Sequence, residues 1–83
     1  MVNELVEPGH ALDAALALAG RITANAPLAV RESRRVVALA AAGDDDELWR
    51  VTRRAMASVM ASEDFREGPR AFIEKRPPQW TGR

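Results

Sequence analysis

The chain has 83 residues and a mass of 9.1 kDa, room for one small domain or part of a larger one. Hydrophobic residues make up 47% and charged residues 29%, which excludes disorder driven by high charge and low hydrophobicity. Twelve Lys and Arg balance twelve Asp and Glu, arguing against a basic nucleic-acid-binding domain and a polybasic membrane anchor, and the absence of Cys excludes disulfides and thiolate metal sites.

At the start, Val2 to Val6 alternates apolar and polar residues and then meets Pro8-Gly9, the pattern of a short strand and turn over residues 1–8. A lone strand has no partner in an otherwise helical chain. From Ala11 to Ala24 the positions Leu12, Ala15, Leu16, Ala19 and Ile22 recur at three and four residues, one stripe of an amphipathic helix. Asn25-Ala26-Pro27 ends it, and Pro27 suits the first turn of a second helix, Leu28 to Ala42, stopped by Gly43.

The acidic run Asp44 to Glu47 lacks the alternating ligands and central Gly of a calcium loop. It reads better as a helix start, with Asp44 capping and Glu47 completing a capping box. The third helix runs from Asp45 to Ala61, with Leu48, Thr52, Ala55, Met56 and Val59 on one face and Trp49 and Met60 at its border. Ser62 or Asp64 then caps a short turn that Gly68 stops. Pro69 opens a last helix through Arg76, and Pro77-Pro78 ends it. The predicted fold is therefore all-α, three to four short helices within residues 10–76, with a residual strand before them and an irregular tail over residues 77–83.

Size limits what such a chain can do alone. A chain this short buries only about 60–65% of its unfolded surface, and sixteen alanines supply much of its apolar count. The large apolar side chains are few, so the helices are expected to need a partner or the rest of a longer chain. The longest apolar run, Val36 to Ala42, is too short to span a bilayer, and residues 1–20 lack the pattern of a secretion signal. The expected setting is cytoplasmic.

Few residues suggest chemistry. His10, the only histidine, has no convergent partners for a triad or a metal site and reads as a helix-start residue. The Arg clusters 31/34/35 and 50/53/54 fall at helical spacing and could hold phosphate or RNA. Their acidic neighbours favour solvated faces or ion pairs. No Gly-rich phosphate loop and no metal-ligand spacing are present.

The most specific stretch is Ala61 to Gly82: SED, two residues, EG, then AF, one residue, EKR, and finally Pro, an aromatic and Gly. This resembles the C-terminal signature of the enoyl-CoA hydratase/isomerase family, the crotonases. Val2-Asn3 with Pro8 resembles the family's last core strand, and Leu12 to Val30 resembles the helices that follow it.

The resemblance implies a C-terminal helical trimerisation region, 1–83, of an enzyme of fatty acyl-CoA metabolism whose catalytic core lies upstream. It implies a CoA thioester as substrate and no separate cofactor, while the residues themselves suggest no metal site. The implied partners are further copies, as a trimer or dimer of trimers, or a separate crotonase core, without nucleic acid or membrane. None of Glu4, Glu7, Glu32, Glu47, Glu63, Glu67 or Glu74 matches a catalytic position of the family, so no catalytic residue is assigned and the chain alone is expected to be inactive.

Phe72 and Lys75 match the positions that approach CoA in the family, often in a neighbouring subunit. Lys75 is the only lysine among twelve basic residues. Read from the residues alone, Phe72 serves as well in the core and Lys75 in solvent. Two other classes are weighed against the family reading: a free-standing helical protein-interaction module, and a small helical nucleic-acid binder that the zero net charge disfavours. The choice between hydratase and isomerase rests on residues of the core.

Overall fold

A computed structural model describes residues 2–41 and 43–83. Among these residues four helices follow one another: α1 (Ala11–Thr23), α2 (Pro27–Ala40), α3 (Asp45–Met60) and α4 (Glu63–Glu74). The end of the second helix expected at Ala42 lies outside the described residues, as does Met1. No strand is present among the described residues, and the backbone of 2–7 meets no second strand with which to build a ladder.

Local chemistry explains most helix ends. Asn25 turns its side-chain amide back onto the carbonyls of Arg21 (2.9 Å) and Ile22 (3.0 Å), satisfying acceptors that α1 leaves open. Pro27 occupies the first turn of α2, where no donor is required. Asp44 caps α3 by accepting the Glu47 N–H at 2.8 Å, but the reciprocal half of the expected capping box is missing. The Glu47 carboxylate pairs forward with Arg50 at 3.4 Å instead. Ser62 caps α4, its hydroxyl accepting the Phe65 N–H at 3.1 Å.

The last helix corrects the sequence reading. Gly68 does not stop it and Pro69 does not start it: α4 runs unbroken through both. Gly and Pro each disfavour a helix interior, Pro69 by removing the N–H that would reach the Phe65 carbonyl. The returning tail offsets this cost. The Trp80 ring lies over Gly68, where an added Cβ would meet the indole at 3.6 Å.

The packing is open. Among the described apolar residues only Ala55 and Ala71 are buried. The exposed surface of 7025 Å² exceeds by roughly 2,000 Å² the area of about 4,900 Å² expected for a compact monomer of this mass. The radius of gyration, 15.9 Å, compares with about 12 Å for a compact chain of this length. The stripe predicted on α1 is uncovered, with Leu12 at 69% and Leu16 at 62% exposure, because among the described residues no apolar face lies opposite it. The half-buried residues of α1 are Ala14 and Leu18. A groove of about 400 Å³ remains between α2 and α3, lined by Ala29, Val36, Val37, Ala55, Met56 and Val59.

Candidate functional site

The most ordered polar architecture surrounds α4 and the tail that follows it. Residues 77–83 have no regular secondary structure, yet they run back along α4 and are tied to it at successive points. Asp64, 3% exposed, accepts the N–H of Thr81 at 2.7 Å and of Gly82 at 3.0 Å, and the Thr81 hydroxyl at 3.2 Å. A carboxylate taken out of water is tolerable only with such partners. Gly82 adopts φ 76°, a conformation open to glycine without penalty. At the N-terminus of α4, the Glu63 N–H donates to the Arg83 carbonyl at 2.7 Å.

One turn further along the helix, Glu67 receives the guanidinium of Arg76 on both carboxylate oxygens, at 2.6 and 3.0 Å. It also accepts the Gln79 N–H at 2.8 Å. The Arg76 hydrogen bonds, then that of Gln79, hold the Glu67 carboxyl at about 2 against an ordinary 4.5. Arg76 also binds Glu74, which pairs in turn with Arg70 at 2.9 Å. These contacts lower the Glu74 pKa, Arg76 contributing most, while Glu67 and then Glu74 raise that of Arg76. With side chains only 16% and 31% exposed, Glu67 and Arg76 are sheltered from water in a way that the Glu47–Arg50 and Glu63–Arg83 pairs are not.

The tail also reaches a second helix. Trp80 donates its indole N–H to the Ala24 carbonyl, just past the end of α1, at 2.9 Å.

Phe72 and Lys75 both lie at the C-terminal end of α4. Phe72 is 85% exposed, so it is not a core residue of this chain. Lys75 is exposed and stands just beyond the last helical residue, with φ 52° and ψ 40°. Its N–H donates to the Phe72 carbonyl at 3.3 Å and the Arg76 N–H to the Ala71 carbonyl at 3.1 Å, the Schellman arrangement of a helix end. Glycine usually fills this position, since a left-handed backbone costs other residues roughly 1–2 kcal/mol. Among the described residues Lys75 is the only non-glycine with positive φ. Lys75 thus leaves the helix three residues after Phe72.

The remaining candidates separate from this site. His10 sits at the start of α1 with no side-chain capping bond. The six clustered arginines are exposed, and of these only Arg50 forms an ion pair among the described residues. No group of three or more His, Cys, Asp or Glu suited to a metal occurs among the described residues. No described helix is long and apolar enough to cross a membrane.

Sequence reasoning found Ser62 as a cap but missed the latches at Asp64 and Glu67. Both acids belong to the SED and EG elements of the C-terminal motif, and their partners to its EKR-Pro-aromatic-Gly end. The pairing of those two halves was the signal available.

No protein-family model matches the chain. In sequence it is 37% identical over 83 residues to enoyl-CoA hydratase EchA19 of Mycobacterium tuberculosis, covering 100% of this chain and 31% of that protein. It is 38% identical over 86 residues to carnitinyl-CoA dehydratase of Salmonella arizonae, covering 99% of this chain and 33% of that one. In structure it matches the crystal structure of enoyl-CoA hydratase EchA1 from Mycobacterium marinum with a TM-score of 0.89 and 47% identity, over 100% of this chain and 33% of that one. The chain therefore spans about a third of the length of these relatives. On sequence and fold together, it belongs to the enoyl-CoA hydratase/isomerase family, as the C-terminal helical segment of the crotonase architecture.

Proposed function

We propose that the chain serves as the assembly and CoA-contacting segment of an enoyl-CoA hydratase/isomerase enzyme and carries none of its catalytic residues. The observation that supports this reading most is the roughly 2,000 Å² of surface exposed beyond that of a compact monomer of this mass. An area of that order matches an extensive protein interface rather than the surface of a free-standing domain. The stripe of Leu12, Leu16 and Ile22 and the groove between α2 and α3 offer apolar faces to a catalytic core and to neighbouring subunits.

Chemistry at the thioester requires preorganised donors in a water-poor pocket. The carboxylates sheltered in this chain, Asp64 and Glu67, are already occupied by the tail. They hold the segment together and do not face a substrate. Phe72 and Lys75 are unoccupied and exposed, which suits a ring for the adenine and an ammonium for a phosphate of CoA.

Complementation tests the reading. The purified chain alone is expected to hydrate no enoyl-CoA thioester above background. Mixed with the core of a family enzyme from which the equivalent third has been removed, it is expected to restore both oligomer and turnover. Turnover by the chain alone, or failure to associate with such a core, would overturn the proposal.

A further inference from the structure

The ends of the four helices differ in one respect. Ala24, Ala41 and Ala61 close α1, α2 and α3 in the right-handed region, while Lys75 closes α4 in the left-handed one. Glycine fits that position freely, so a lysine there must be held by its surroundings. The Schellman bonds hold it from the helix side. On the far side, Pro77 pushes the preceding Arg76 out of helical conformation, and the chain must then be steered back along α4.

Glu67 supplies that steering. It lies two turns back on the helix and grips the downstream chain twice, through Arg76 at 2.6 and 3.0 Å and through the Gln79 N–H at 2.8 Å. These two anchors bracket the Pro77-Pro78 pair. The Glu74 contact with Arg76 cannot replace them, because Glu74 is only two residues away and moves with the cap. The Lys75 side chain is exposed and takes no direction from packing. What the structure can fix is the direction in which that side chain leaves the backbone.

We infer that Glu67 is a positioning residue for Lys75: by fixing Arg76 and Gln79 it holds the left-handed cap and so sets the direction in which the Lys75 side chain leaves the helix end. The functional side of this inference rests on the reading of Lys75 as a CoA contact, whereas the conformational side does not.

The test uses the full 83-residue chain in solution. The Lys75 Cα shift and its three-bond amide–α-proton coupling report φ, and coenzyme A is titrated against the amide resonances. Glu67→Gln is expected to move the Lys75 signals away from left-handed values and to weaken coenzyme A binding about as much as Lys75→Ala does. The double variant is expected to bind no worse than Lys75→Ala alone, since residues acting through one contact are not additive.

Lys75 signals unchanged in Glu67→Gln would overturn the positioning role. Equally contrary would be a further loss of binding when Glu67→Gln is added to Lys75→Ala. Absent binding by the unaltered chain, or a Lys75→Ala chain that binds normally, would count against the CoA reading while the Lys75 signals still decide the conformational side. If Glu67→Gln loses its helical circular dichroism, Gln79→Pro removes a single bond to Glu67. It is expected to shift the Lys75 signals in the same direction, and no shift would overturn the inference.

Discussion

The indole N–H of Trp80 donates to the carbonyl of Ala24 at 2.9 Å, joining the tail to the end of the first helix across 56 residues of chain. The same ring lies over Gly68, so one side chain spans α1, α4 and the tail between them. Trp80→Phe removes the donor and also the outer edge of the indole that touches Gly68, so it is expected to cost at least about 1 kcal/mol, the net contribution of one neutral hydrogen bond, plus the lost contact. Chemical denaturation checks this, and an unchanged midpoint would show that the link contributes nothing to stability.

Gly68 offers the converse experiment. A Cβ there would touch Trp80 at 3.6 and 3.9 Å, ordinary contact distances. Alanine in a helix interior is favoured over glycine by about 0.5–1 kcal/mol. Gly68→Ala is therefore expected to stabilise the chain by about that amount, and a lower melting temperature would mean that the indole sits closer to the helix than described.

How much of this was legible in the sequence depended on distance along the chain. Caps such as Asp44 and Ser62 act over three residues, so spacing alone exposed them. The helical stripes were equally plain, but periodicity says which residues share a face and not whether that face is covered. Leu12 and Leu16 share the predicted face and yet remain in solvent. Gly68-Pro69 read as a break because both residues oppose helix locally, and the compensating Trp80 lies beyond any local window. Asp64 read as a cap, whereas its partners Thr81 and Gly82 stand 17 and 18 residues away. Phe72 and Lys75 were found through the resemblance of the motif, since no local spacing marks an exposed Phe as a ligand contact.

Acid should loosen the tail in a defined window. The folded-state pKa of Glu67 is depressed to about 2 from 4.5. Between those values the unfolded chain binds a proton that the folded chain does not, so stability falls as the pH drops from about 4.5 toward 2. Above that window the contribution is fully present. The Gln79 amide resonance is expected to titrate with a midpoint near 2, and the pH dependence of stability should flatten in Glu67→Gln. A Gln79 midpoint near the ordinary 4.5 would show that Glu67 is not held by the tail.

Uncovered apolar stripes predict the behaviour of the isolated chain. Sedimentation at micromolar concentration is expected to show self-association of the isolated chain. A strictly monomeric chain would contradict the view that these faces require partners.

The central claim concerns Lys75, and the substrate itself provides the control. In a family enzyme carrying this segment, Lys75→Ala is expected to raise the KM for a CoA thioester about tenfold, since a charge-assisted contact is worth roughly 1.5–3 kcal/mol and 1.4 kcal/mol is a factor of ten. The kcat should change less, because an ammonium remote from the thioester binds ground and transition states alike. A substrate truncated at the pantetheine has no nucleotide phosphate, and its KM should not change. If Lys75→Ala weakens the truncated substrate as much as the full CoA thioester, Lys75 does not contact the nucleotide and the account is wrong.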